Sequence, residues 1–230
     1  MSRRLEIVNK TCKLLKYREG LALQELFAEQ VKISQSASCH LLLLQHNPVY
    51  TLGKRGRQED FREAQQDVLR QGIDVEAVPR GGEVTFHGPG QLVAYPIVNL
   101  RELRVGARAW IERLEQCVVD TAAVFGVTAK GQVPGRTGVW VEERKLAALG
   151  VKISHGISSH GLALNVSTDL SFFSKIVPCG LPDKEVTSLE KETGEVIDMQ
   201  NVVKVFCDVF AAEFGYGNVL KANDRTDKLA

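Results

Sequence analysis

The amino-acid sequence predicts an α/β fold in which a mixed sheet is flanked by helices and built as a single domain. Three observations lead there. Segments with helical apolar spacing interleave with short apolar runs, several of those runs follow one another closely enough to pair as hairpins, and no stretch rich in Pro, Gly or Ser divides the 230 residues. A regular series of parallel βαβ units would put a helix between every pair of strands, so direct strand-to-strand succession argues for a mixed sheet.

The elements follow in order. Leu21, Leu23, Leu26, Phe27 and Val31 recur at roughly helical spacing over 18–32, and His40 to His46, with four consecutive leucines, reads as a buried strand, so a helix and then a strand should open the domain. Residues 60–71 are expected to be helical with Phe61, Ala64, Val68 and Leu69 inward, and Val75–Val78 to be a short strand. Strand patterns continue over 83–87 and 91–98. The strongest helix spans 107–125, where Trp110, Ile111, Leu114, Val118, Ala122 and Phe125 share one face and Gly126 ends it. Residues 138–141, a turn at 142–144 and 145–153 predict a hairpin, a further strand covers about 161–166, and a last amphipathic helix runs over 199–214.

Composition narrows the function classes. With 44% hydrophobic and 25% charged residues the chain can build a full core. Its 29 basic residues balance 28 acidic ones, which gives no broad electrostatic basis for binding nucleic acid or an anionic membrane. The longest apolar runs are too short to cross a bilayer and the first residues lack a signal-peptide core, so a soluble protein is expected. Five cysteines, odd in number and without a Cys-x-x-Cys pair, predict a reducing compartment with neither disulfide framework nor zinc site.

Three segments stand out chemically. Arg80-Gly81-Gly82-Glu83-Val84-Thr85-Phe86-His87-Gly88-Pro89-Gly90-Gln91 holds four glycines, a proline, an arginine and a histidine between two strands. Glycines let a ligand lie against the main chain, while Arg80 and His87 offer polar contacts; a tight connection using glycine only for its turns is the plainer explanation. Cys179, between Pro178 and Gly180, sits where a fixed chain and a free following amide would suit a nucleophile. Cys12, Cys39, Cys117 and Cys207 are expected to be small buried hydrophobes instead. Lys145 opens the small, apolar run Leu146-Ala147-Ala148-Leu149-Gly150, where partial burial beside a thiol would make a Cys/Lys pair, although a lone lysine there is usually solvated. His160 is an alternative base, set against the structural role usual for a strand histidine.

Together these motifs resemble the lipoyl(octanoyl) transferase family: Arg80–Gln91, Gly138-Val-Trp-Val141, Lys145-Leu-Ala-Ala-Leu-Gly150, Ser159-His-Gly-Leu-Ala-Leu-Asn165, and Pro178-Cys-Gly-Leu181 followed by Val186-Thr-Ser-Leu189. The similarity runs from about Leu5, through Tyr17–Gln24 and Pro48–Gly53, to about Phe214. The resemblance implies a biotin/lipoate protein ligase-like single domain over 5–217, with 218–230 as a polar C-terminal tail. It implies that Cys179 is acylated by octanoyl-acyl carrier protein and that Lys145 lowers its pKa. The acceptor would be the target lysine of lipoyl domains of 2-oxoacid dehydrogenases, or of a glycine cleavage H-type protein. Acyl-chain contacts fall on Arg80, Gly81, Gly82, Glu83, Val84, Thr85, Phe86 and His87, on Ala148, Leu149 and Gly150, and on Gly161, Leu162 and Ala163. No cofactor and no metal is expected, because both steps start from a thioester that is already activated. Burying about six methylenes at roughly 0.8 kcal/mol each gives about 5 kcal/mol for telling octanoyl from acetyl.

Three alternatives stay open: an ATP-dependent lipoate or biotin ligase on the same scaffold, a non-catalytic binder of lipoyl or carrier domains, and a cysteine hydrolase. For location, 51–55 and 183–189 look like the plant-type mitochondrial members, and the basic first residues could act as an uncleaved signal. The expectation is mitochondrial, with a bacterial cytoplasmic protein as the alternative.

Overall fold

A computed structural model describes residues 4–33, 38–62, 65–177 and 185–221. In chain order its elements are β1 (Arg4–Leu15), α1 (Tyr17–Ile33), β2 (Ser38–His46), β3 (Val49–Leu52), α2 (Gln65–Arg70), β4 (Asp74–Ala77), β5 (Val84–His87), β6 (Gln91–Asn99), α3 (Leu100–Leu103), α4 (Ala107–Val124), β7 (Val139–Val141), β8 (Arg144–Ser154), β9 (Ile157–Asn165), β10 (Glu185–Val186), α5 (Leu189–Thr193), α6 (Met199–Phe214) and β11 (Asn218–Lys221). The large sheet runs β10-β8-β9-β6-β2-β1-β11, with β7 also paired to β8, and a small sheet runs β4-β3-β5. Parallel pairs (β1 with β2 and β11, β10 with β8) coexist with antiparallel ones (β2–β6, β6–β9, β8–β9), so the sheet is mixed as predicted.

Leu41 to Leu44 of β2 are wholly buried because the sheet is covered on both faces. Alternation sends Leu41 and Leu43 to the core under α4 and α6, with Leu92, Ala94, Leu162 and Leu164, and sends Leu42 and Leu44 to a smaller core under α1, with Val93, Tyr95 and Ala163. On α4, Trp110, Leu114, Cys117, Val118 and Ala122 are buried as their spacing predicts, and the Trp110 indole donates to Ser158 Oγ at 2.9 Å. The small sheet has its own core of Tyr50, Phe61, Val84 and Phe86, closed by Phe172 and Phe173. None of the helices among the described residues is long and apolar enough to cross a membrane.

Some expectations need correcting. A strand, not a helix, opens the domain: β1 pairs in parallel with β2, with an irregular register between Asn9 and Leu14. The helix expected over 60–71 shrinks to α2, because Phe61 forms a bridge with Ile176 and packs into the small-sheet core. β9 begins at Ile157, before the strand start expected at about 161. At the edge of the sheet, β11 pairs with β1 over four residues.

Candidate acyl pocket and lysine site

A pocket lies where the large sheet, the small sheet and the start of α1 meet. Pairing builds it. Ala148, Leu149 and Gly150 of β8 stand opposite Ala163, Leu162 and Gly161 of β9, so small residues face one another across two strands and leave a shallow groove. The loop from Arg80 to Glu83 covers that groove, with Gly81 N donating to Val151 O at 2.9 Å. A Cβ on Gly150 would stand 2.7 Å from Gly81 O, a separation real side chains do not adopt, so glycine there lets the two backbones touch. The pocket is lined by Arg80, Gly82, Glu83, Val84, Thr85, His87, Ala148, Leu149, Gly150, Gly161, Leu162 and Ala163, joined by Tyr17, Tyr95 and His160.

Two residues expected among these contacts lie elsewhere. Gly81 contributes its backbone bond to β8 and does not face the pocket. Phe86 alternates away from Thr85 and His87 and stacks on Phe172 at 4.4 Å in the small-sheet core. Arg80 is buried, and its guanidinium donates to Thr51 O at 2.8 Å, Thr51 Oγ1 at 2.7 Å and Glu83 O at 3.0 Å. Its charge therefore holds the covering loop in place.

One pocket wall is polar although buried. His46 bonds the Leu15 carbonyl through Nδ1 at 3.2 Å, and a carbonyl can only accept, so Nδ1 carries the proton and Nε2 accepts from the Tyr95 hydroxyl at 3.0 Å. Gln91 donates to Phe86 O and Asn165 Oδ1, which leaves its Oε1 to accept from His87 Nδ1 at 2.8 Å. Burial holds His46 down to about 4 and, aided by the positive charge of Arg80, holds His160 down to about 4; His87 lies well below the usual imidazole value for the same main reason. His160 has a left-handed backbone (φ 55), and its N–H donates to Gln24 Oε1 at 2.7 Å. It pairs with Val151, six residues beyond Lys145 on β8 or roughly 20 Å along the strand, so this neutral ring cannot share a proton with that lysine.

Lys145 is buried between β7 and β10, opposite Trp140 and Val186. Its Nζ lies 4.7 Å from the Trp140 ring centre, a cation–π contact. The expected nucleophile, Cys179, lies in 178–184, outside the described residues. The chain on either side is anchored: Val177 N donates to Asp60 O at 2.8 Å, and Glu185 pairs with Arg144 next to Lys145. Cys39, Cys117 and Cys207 are buried, with burial pushing the Cys39 and Cys207 thiols up to about 12 and Cys117 upward as well. Cys12 departs from the expectation of burial, being exposed on β1.

Tyr17, Tyr95, His46 and Gln24 escaped the sequence-based assignment of site residues. Tyr95 and His46 carried one signal: each is a polar or ring group within or beside a run otherwise made of strand-forming apolar residues.

Residues 16–211 match the family of lipoyl protein ligase A/B catalytic domains. The chain is 42% identical over 209 residues to a mitochondrial octanoyltransferase of Arabidopsis thaliana, spanning 90% of this chain and 88% of the relative. It is 43% identical over 215 residues to an octanoyltransferase of Acidobacterium capsulatum, spanning 87% of each. Among solved structures, a bipartite lipoate protein ligase of Thermoplasma acidophilum, studied with its E2 lipoyl domain, superposes with a TM-score of 0.74 at 17% identity, over 100% of this chain and 90% of that one. At that identity the likeness concerns the fold alone.

Proposed function

Since the chain belongs to the lipoyl protein ligase A/B catalytic-domain family and is an acyltransferase of the octanoyltransferase kind, we propose that it moves an octanoyl group from octanoyl-acyl carrier protein to a lysine of a lipoyl domain through a thioester on Cys179. In the first step the Cys179 thiolate attacks the carrier thioester; the new C–S bond forms as the old one breaks, and the leaving thiolate takes a proton from the Lys145 ammonium. In the second, the acceptor lysine amine attacks the Cys179 thioester, an amide forms, Lys145 accepts the amine's proton, and the cysteine sulfur leaves as thiolate. Lipoyl domains of 2-oxoacid dehydrogenases and a glycine cleavage H-type protein are the acceptors.

The observation that carries this reading is the pocket itself. Small residues of β8 and β9 form its floor only three residues beyond buried Lys145, roughly 10 Å along the strand, the scale of an eight-carbon chain. Cys179 lies six residue steps before Glu185, a reach of at most ~21 Å, and Glu185 pairs with Arg144 beside Lys145, so the chain length permits the pairing. The transferase reading gains over an ATP-dependent ligase because the relatives named octanoyltransferase share 42–43% of their residues with the chain. A mitochondrial location is part of the proposal, supported by the plant relative; a fluorescent fusion of the whole chain tests it.

The deciding experiment is intact mass spectrometry after mixing with octanoyl-acyl carrier protein. A single octanoyl adduct is expected, absent from Cys179→Ala and discharged when an apo lipoyl domain is added. An adduct that survives Cys179→Ala, or free octanoate in place of acylated acceptor, would overturn it. Lys145→Arg should retain some acylation of Cys179 and stall at transfer, whereas Lys145→Ala should lose both steps at neutral pH.

A further inference from the structure

Lys145 is a buried cation, and the structure contains a device that fixes it. Glu115 lies on α4, on the face that otherwise buries Trp110, Leu114, Val118 and Ala122, and it is itself buried. A carboxylate in an apolar face is costly unless its oxygens are satisfied. Both are: Oε1 accepts from Gly138 N at 2.7 Å and Oε2 from Gln132 N at 2.7 Å. Gly138 in turn touches the lysine. A Cβ there would stand 3.1 Å from Lys145 Cε, 3.5 Å from Nζ and 2.8 Å from Ala147 O, so with φ at 132° this position demands glycine and presents bare backbone to the ε-amine. The Gly138 contact and its bond to Oε1 connect carboxylate and ammonium through one residue. Of the charged groups on segments packed against Lys145 (Glu112 and Glu115 of α4, Lys130 and Arg136 before β7, Arg144 of β8, Glu185 of β10), only Glu115 is buried among the described residues.

We infer that Glu115 is the positioning residue for Lys145: it clamps the 132–138 segment against the ε-amine. Burial raises the Glu115 carboxyl above its usual range, and the N–H bonds from Gly138 and Gln132, with Lys145 nearby, offset that in part. This rests on the proposed role of Lys145. A charge that only stabilised the fold could have sat anywhere on α4; this one is bonded to the segment that walls the amine.

Single-turnover transfer from octanoyl-acyl carrier protein to an apo lipoyl domain, in a double-mutant cycle, tests it. Glu115→Gln keeps the shape but replaces the charge with an amide and turns one acceptor into a donor facing an N–H. It should lower the rate about tenfold with the KM for the donor little changed, and Glu115→Asp should lie between. In a Lys145→Met background, read as acylation of Cys179 at raised pH where the thiol ionises without the lysine, Glu115→Gln should add nothing further, because its effect runs through the lysine; a purely structural residue would multiply the loss. Thermal melts of each variant identify those that fail to fold, and Glu115→Asp then carries the cycle. Wild-type rate in Glu115→Gln, or a full multiplicative loss beside Lys145→Met, overturns the inference while leaving the function intact. Wild-type rate in Lys145→Met would sink the role proposed for that lysine instead.

Discussion

The two faces of the large sheet are made from alternate residues of the same strands and differ in kind. Under α4 and α6, Leu41, Leu43, Leu92 and Leu164 meet Trp110, Leu114, Phe206 and Phe210 in an almost wholly apolar core. On the opposite side, where β5 and α1 approach, His87, Tyr95 and His160 are buried around a space they do not fill, with His46 behind Tyr95. Burying polar rings is unfavourable and leaving a void forfeits dispersion contacts, so neither helps folding. The contrast locates the part of the molecule shaped for something other than its own stability.

Substitutions on either side should separate the two roles. Trp110→Ala empties a fully buried site and strands Ser158, so it should cost about 3–5 kcal/mol in chemical denaturation; a loss below 1 kcal/mol would show that the apolar face is not the stabilising one. Gly161→Ala pushes a methyl group into the Ala94 carbonyl and Pro96, and should cost about 2–3 kcal/mol because backbone must move. Ala148→Leu should leave stability nearly unchanged yet slow transfer of octanoyl about tenfold while sparing butyryl, as read from rates over a series of acyl lengths; equal losses at every length would point to misfolding.

The polar wall predicts a pH effect of its own. His46 and His160 titrate at about 4 in the folded protein against about 6.5 unfolded, so the unfolded chain takes up protons first as pH falls. Stability should be full above about pH 6.5 and decline toward pH 4, each histidine contributing up to ~1.4 kcal/mol per pH unit. Urea midpoints that stay flat from pH 7 to 5 would contradict neutral burial. The smallest effect is expected at the rim, where Arg144 forms a two-pronged ion pair with Glu192 at 2.9 and 3.0 Å. Arg144→Ala should cost only about 0.5–1 kcal/mol, less in high salt.

How much was legible follows the same division. The leucine run of β2 and the stripe on α4 announced themselves because burial imposes a period on consecutive residues. The facing small residues of β8 and β9 were visible as motifs, though their pairing waited on the hairpin register. β1 was overlooked because Asn9, Lys10 and Thr11 interrupt its pattern where the register shifts. Phe61 read as helical since its choice between helix and bridge is decided by Ile176, far along the chain. The His160–Gln24 bond joins residues 136 apart, a relation no local pattern encodes. Glu115 interrupts an otherwise apolar helical face, and only its bond to Gly138 gives that position a meaning.

The backbone-to-backbone floor of the pocket also bears on how the protein could be re-engineered. Gly150 and Gly161 have no side chain to trim, and Ala148 and Ala163 have one carbon each, so a mutant library directed at β8 and β9 can shorten the accepted chain at many positions but lengthen it at few. Room for longer donors must come from Leu149, Leu162 or Val84, or from lifting the Arg80 loop off Gly150. Directed evolution toward longer substrates would thus begin with the lid and these larger side chains and not with the glycines and alanines of the floor.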